Sequence, residues 1–167
     1  SGGSASLYLG SGSGGTETGN EAVASNVVAI GQDAGEGGVG ANNTLLGARS
    51  MYRLTGATDS VAIGYLTMAN LGQATTTSAQ RNVFVGHQVG EYFANGEENV
   101  WIGTDIGSLT ESSTGNTYIS PAQIPEVGGG NIIIGGYNKN GATAGVHSFT
   151  GSAEQSNIIA LGSSNVQ

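Results

Sequence analysis

One five-residue pattern returns nine times along this chain: a small polar residue, three apolar residues, then glycine. It reads Ser6-Leu7-Tyr8-Leu9-Gly10, Asn43-Thr44-Leu45-Leu46-Gly47, Ser60-Val61-Ala62-Ile63-Gly64, Asn82-Val83-Phe84-Val85-Gly86, Asn99-Val100-Trp101-Ile102-Gly103 and Asn131-Ile132-Ile133-Ile134-Gly135. Asn26-Val27-Val28-Ala29-Ile30-Gly31 and Asn157-Ile158-Ile159-Ala160-Leu161-Gly162 carry one extra apolar residue, and Asn116-Thr117-Tyr118-Ile119-Ser120 ends in serine. The closing positions 10, 31, 47, 64, 86, 103, 120, 135 and 162 define a basic period near 16 or 17 residues. The longer steps carry insertions such as Thr75-Thr76-Thr77, placed between strands where repeat proteins tolerate them. A half-motif often follows the glycine, as in Gln32-Asp33-Ala34-Gly35, His87-Gln88-Val89-Gly90 and Thr104-Asp105-Ile106-Gly107, and reads as a second short strand or a turn.

Each apolar cluster is too short for a helix and rich in Val, Ile and aromatic residues, so it reads as a strand. Asn and Gly at its ends supply turns, because both accept left-handed backbone. The 31 glycines, roughly two and a half times ordinary usage, thus serve a repeat. With two prolines and no Gly-X-Y period they do not make collagen. No stretch sustains a 3.6-residue period, so almost no helix is expected. The expected fold is an all-β roll of stacked coils.

Alternate side chains of a strand point to opposite faces. The first and third apolar positions, such as Val61 and Ile63 or Val100 and Ile102, are expected to fill the interior of the coil. The middle position then faces outward, where a solvated sheet would carry polar residues. It holds Tyr8, Ala29, Leu45, Ala62, Phe84, Trp101, Tyr118, Ile133 and Ala160, none of them charged. An apolar ladder of that length needs a cover, and identical chains about a shared axis supply one. Tyr8, Leu45, Phe84, Trp101, Tyr118 and Ile133 are therefore the expected trimer core. A β-sandwich would bury both faces within one chain but has no need of a sequence repeat.

Twelve acidic residues face four basic ones (Arg49, Arg53, Arg81 and Lys139), a net charge of −8. No basic stripe exists to neutralise phosphates, which excludes nucleic acid as the main partner. The acidic balance disfavours anionic membranes, and no apolar run approaches the ~20 residues of a spanning helix. The chain has no cysteine, hence no disulfide, thiolate metal site or thiol nucleophile.

Ser60-Val61-Ala62-Ile63-Gly64 and Val28-Ala29-Ile30-Gly31 resemble the signature of the head domains of trimeric autotransporter adhesins. That resemblance spans roughly residues 5 to 162 and implies a left-handed parallel β-roll, three chains packed about one axis. The repeat of those heads is shorter and more regular, and aromatic middle positions, Tyr65 and His87 depart from it. Asn42-Asn43-Thr44-Leu45-Leu46-Gly47 is more similar to the form found in bacteriophage tail fibres. The segment from Asn157 to Gln167 resembles the one that precedes the self-cleaving chaperone of endosialidase-type phage fibres.

Catalytic groups are sparse. His87 occupies a slot that elsewhere holds Gln32, Tyr65 or Thr104, which suits a surface or turn residue. His147 lacks a paired carboxylate and nucleophile. Glu97 and Glu98 are adjacent, and neighbours in an extended chain diverge rather than flank one glycosidic bond. Gly37-Gly38-Val39-Gly40-Ala41-Asn42 lacks the aspartate of a calcium-binding roll, and Gly12-Ser13-Gly14-Gly15 lacks the lysine of a phosphate loop, so both read as flexible loops. No cofactor or metal is expected. Sugars stack their C–H faces on aromatic rings, and two loops combine rings with amides: Tyr92, Phe93 and Asn95, and Tyr137, Asn138 and Lys139.

The expected organisation is one repeat domain over 1–167, with coils over 5–162. Residues 1–4 read as a linker or expression scar, and 163–167 as the start of a C-terminal connection. The expected fold is a left-handed parallel β-roll of about nine coils in a parallel homotrimer. The expected function is structural and adhesive: an extracellular tail-fibre segment of a virion contacting a host-surface glycan or protein, without enzymatic activity or membrane insertion. Alternatives are the head of a bacterial trimeric adhesin that binds host matrix and, less well supported, a trimeric polysaccharide hydrolase.

Overall fold

The computed structural model describes residues 5–15, 25–71, 78–107, 114–120, 129–135 and 159–161. Their architecture is an all-β parallel β-solenoid of about six turns, without helix among the described residues. Nine strands form one sheet: β1 (Leu7–Leu9), β2 (Val28–Ile30), β3 (Thr44–Leu46), β4 (Val61–Tyr65), β6 (Val83–His87), β8 (Val100–Thr104), β9 (Thr117–Ser120), β10 (Ile132–Ile134) and β11 (Ile159–Leu161), each paired in parallel with the next in that order. Two further strands, β5 (Ser78–Gln80) and β7 (Asn95–Glu97), pair in parallel as a small second sheet. The repeat sets the register without a slip. Tyr8 lies opposite Ala29, Ala62 opposite Phe84, Trp101 opposite Tyr118 and Tyr118 opposite Ile133.

Turn geometry recurs as strictly as the strands. The closing glycines Gly10, Gly31, Gly47, Gly64, Gly86, Gly103 and Gly135 all have φ between 124° and 151°. A Cβ on Gly86 would run into the carbonyl oxygen of Gly103 one coil on, and the same holds from Gly10 to Gly103. This position therefore needs glycine for backbone conformation and for the close stacking of coils. In the copy that closes with serine, Ser120 simply ends β9 as a strand residue.

Two residues past the glycine the chain turns left-handed at Gly12, Asp33, Arg49, Leu66, Gln88 and Asp105. Two further on it does so again, at Gly14, Gly35, Met51, Met68, Gly90 and Gly107. The half-motif is thus a corner and not a strand. Gly12 to Gly14 belong to this recurring corner, where the Ser13 hydroxyl donates to the Ala29 carbonyl at 3.0 Å, and not to a flexible loop.

The middle strand residues fill the inside of the coil, which reverses the expected assignment of the two faces. Ala29, Leu45, Ala62, Phe84 and Trp101 are fully buried and Tyr118 nearly so, while Tyr8 and Ile133 pack against the same core. Leu7, Leu9, Val28, Leu46, Ile102, Ile119, Ile132, Ile134, Ile159 and Leu161, from the first and third positions, are the exposed ones. Tyr8, Leu45, Phe84, Trp101, Tyr118 and Ile133 are therefore core residues of a single chain, not an outward face awaiting partners. The coil is just wide enough for one inward side chain per strand, so the three-residue strand turns its single middle residue in and its two flanking residues out.

Volume is balanced locally within the core. Where the middle residue is aromatic, the second left-handed residue is glycine: Tyr8 with Gly14, Phe84 with Gly90, Trp101 with Gly107. A Cβ on any of these glycines would strike that ring. In two coils with a smaller middle residue the same corner carries a fully buried methionine, Leu45 with Met51 and Ala62 with Met68, whereas the Ala29 coil keeps Gly35, beside Leu45 and Val39. Phe84, Trp101 and Tyr118 stack in a column with centroid separations of 4.5 and 5.5 Å, and Phe93 packs edge-on against Phe84 and Trp101.

The polar residue that precedes β3, β4, β6, β8, β9 and β10 is buried and forms a second ladder. The Ser60 amide donates to Asn43 Oδ1, Asn82 to Ser60 Oγ, Asn99 to Asn82 Oδ1, Asn116 to Asn99 Oδ1 and Asn131 to Asn116 Oδ1, all at 2.9–3.0 Å. These bonds satisfy amides that the corner would otherwise leave buried and unpaired. Val27 occupies the same slot in the second coil and is fully buried. The extra apolar residue of that copy thus replaces a ladder asparagine and does not lengthen the strand.

Candidate interaction surfaces

Three surface features follow from this construction. The first is the exposed face of the nine-stranded sheet. Its third-position column runs Leu9, Ile30, Leu46, Ile63, Val85, Ile102, Ile119, Ile134 and Leu161, aliphatic at every rung. Beside it run Leu7, Val28, Thr44, Val61, Val83, Val100, Thr117, Ile132 and Ile159. Nine strands at the usual spacing make a strip about 38 Å long. Leu9 is 51% exposed and Ile119 40%. Neither column carries a charge.

The second is a polar edge at the corner before each strand, where Asn26, Asn42, Asp59, Arg81 and Glu98 are left-handed. The Asn26 amide donates to Asn42 Oδ1 at 3.0 Å, and Asn42 to Asp59 Oδ1 at 2.8 Å. The Arg81 guanidinium reaches Glu98 at 3.1 Å and also binds Glu97. The hydrogen bond to Glu98 holds this guanidinium above its usual range; desolvation, the next cause in size, opposes the rise, and the charge of Glu97 adds to it. The neighbouring glutamates thus share one arginine, with Glu98 at a corner and not in extended chain.

The third is a column of residues that directly follow the closing glycines: Ser11, Gln32, Ala48, Tyr65, His87 and Thr104. Backbone bonds fix its order. Asp33 N donates to Ser11 O, Arg49 N to Gln32 O, Leu66 N to Ala48 O, Gln88 N to Tyr65 O and Asp105 N to His87 O, at 2.8–3.1 Å. The exposed rings of Tyr65 and His87 stack at 5.5 Å with 27° between planes. His87 Nδ1 lies 4.0 Å from Asp105 Oδ1. Nearby, the guanidinium carbons of Arg49 and Arg53 stand 5.5 and 5.3 Å from the Tyr52 ring centre, and Arg49 approaches Asp33 at 3.6 Å.

Of the residues expected to contact a receptor, Phe93 is fully buried in the aromatic core. Its ring is used to fill the coil beside Phe84 and Trp101, which removes it from any contact surface. Tyr92 and Asn95 are half-buried, Tyr92 in an antiparallel bridge with Asn70 and Asn95 at the start of β7. Tyr137, Asn138, Lys139 and His147 lie outside the described residues, as does Thr75-Thr76-Thr77. The sequence reading missed the Tyr65–His87 stack, although its signal was there: both rings directly follow the closing glycine in successive coils. Among the described residues no group of three or more His, Asp or Glu side chains gathers as a metal site.

No family model, curated protein or solved structure matches this chain.

Proposed function

We propose that this chain is a structural and adhesive segment of a bacteriophage tail fibre: a left-handed roll of about nine coils that assembles as a parallel homotrimer and contacts the host cell surface. The observation that carries the reading is the pair of uncharged columns on the outside of the nine-stranded sheet, one aliphatic at every rung and the other broken only by Thr44 and Thr117. An apolar strip of this length is far larger than a monomer in water ordinarily leaves open. Its spacing repeats once per coil, so a second copy in parallel register meets it rung for rung. A closed ring of three such faces covers every copy equally and leaves the polar corners outside, consistent with a net charge of −8 that must be kept in solvent. The fold also suits a load-bearing shaft, because strand pairing ties coil to coil, reinforced by the buried ladder from Asn43 to Asn131 and by stacked rings from Phe84 to Tyr118.

The function is tested by adhesion. Fluorescently labelled protein should decorate intact bacteria of susceptible strains and leave surfaces coated with animal matrix proteins bare. Binding to the matrix proteins instead would move the chain to the bacterial adhesins. Binding to neither would remove the adhesive part of the proposal.

A further inference from the structure

We infer that the notch between Tyr65 and Gln32, floored by Ala48, is a binding slot for one pyranose ring of a surface glycan. The column after the closing glycines places one side chain per coil, about 4.8 Å apart. At Tyr65 and His87 those side chains are rings, and they stack on one another. His87 covers only one face of Tyr65. The other face is turned toward the rung of Ala48, whose methyl group is too short to reach it. Tyr65 as a whole is 42% exposed.

One rung further stands Gln32, whose Nε2 donates to Asp33 Oδ2 at 3.3 Å and is thereby oriented. The walls of the notch are thus an aromatic face and a planar amide two rungs, about 9.6 Å, apart. A six-membered ring taking the middle rung would lie about 4.8 Å from each wall, within the 4.5–7 Å range at which rings stack. The Tyr65 face offers the negative side of its quadrupole to the C–H bonds of a sugar. The rim is polar: Asp33 accepts hydrogen bonds, and Arg49, held between Asp33 and the Tyr52 ring, donates them. Apolar wall, small floor and fixed polar rim together match a sugar, which presents one C–H face and an equatorial belt of hydroxyls.

The slot deepens the adhesive part of the function proposed above and rests on it for its role, but not on the trimer. The test is saturation-transfer NMR on the whole chain, irradiating aromatic protons in the presence of the methyl glycosides of glucose, galactose, mannose, rhamnose and N-acetylglucosamine. Transfer should reach the ring C–H protons of at least one sugar. Ala48→Tyr, which extends the existing stack into the notch, should reduce it at least tenfold, as should Tyr65→Ser, while Tyr65→Phe keeps it. No transfer from any of the five sugars to folded wild-type protein would overturn the slot. So would transfer that survives Ala48→Tyr, or a change of solution mass in that variant, which would make the notch a subunit contact. Sugar transfer without adhesion to cells would sink the proposed function and leave the slot standing. Adhesion that Ala48→Tyr leaves unchanged would do the reverse.

Discussion

Trp101 and Gly107 occupy one coil and share one volume, as do Ala62 and Met68 two coils earlier. A Cβ on Gly107 would meet the indole, so Gly107→Met should disrupt the fold, whereas Trp101→Ala leaves a cavity that costs about 3–5 kcal/mol. In the double variant the methionine enters the space the indole vacates, reproducing the Ala62–Met68 pair. Its left-handed backbone is no obstacle, since Met51 and Met68 already adopt it with φ of 49° and 51°. Urea unfolding of the four species should show a coupling of more than ~1 kcal/mol in favour of the double variant. Simple additivity would mean that the two positions do not share a volume. Glycines also differ by position. Gly86→Ala sets a Cβ against the backbone of Gly103 and should cost about 3 kcal/mol or more. Gly115→Asn should stay within ~1 kcal/mol, because its φ of 68° resembles that of Asn26 and Asn42 at equivalent corners and no atom stands closer than 3.6 Å to the added Cβ. Thermal melts of both variants separate these outcomes, and equal losses would contradict the distinction.

At the scale of the element, the strands and the order of coils were legible because the five-residue pattern repeats. The direction of the two faces was not. Alternation tells only that the middle residue opposes its neighbours, and here all three are apolar, so either face could be the inside. The discriminating signal lies in size. The middle position ranges from Ala62 to Trp101, with Met against Leu45 and Ala62 and Gly against the rings of Tyr8, Phe84 and Trp101, which marks a core adjusted locally. The third position keeps to Val, Ile and Leu, as the proposed packing against another copy would require. Phe93 was misread for a related reason: an aromatic in an apparent loop can equally serve as filling for a neighbouring coil. The buried ladder was visible as a recurring Asn, but its hydrogen bonds were not. Asn99→Ala removes the acceptor of the Asn116 amide and leaves that donor buried, which should cost about 1–3 kcal/mol. Asn99→Ser should cost less, since Ser60 Oγ already serves the Asn82 amide in the same way. Chemical denaturation of the two variants checks the order, and a serine variant no better than alanine would deny the ladder its role.

For the whole molecule, the decisive property is what covers the outer face of the sheet. Ile102 lies in the middle of the aliphatic column, 37% exposed in the single chain. On a free monomer, Ile102→Asp would place a charge in water at little cost, within about 0.5 kcal/mol. In a packed trimer it would gather three carboxylates beside one another without counter-charge, and the assembly should dissociate. The most direct measurement is therefore the mass of the chain in solution by static light scattering, on the wild type and on Ile102→Asp. A self-associating face gives a particle of about three times 16.5 kDa for the wild type and a smaller one, or aggregates, for the variant. A wild type that remains soluble at 16.5 kDa, with the variant equal to it, would contradict the claim that this face is a self-association surface.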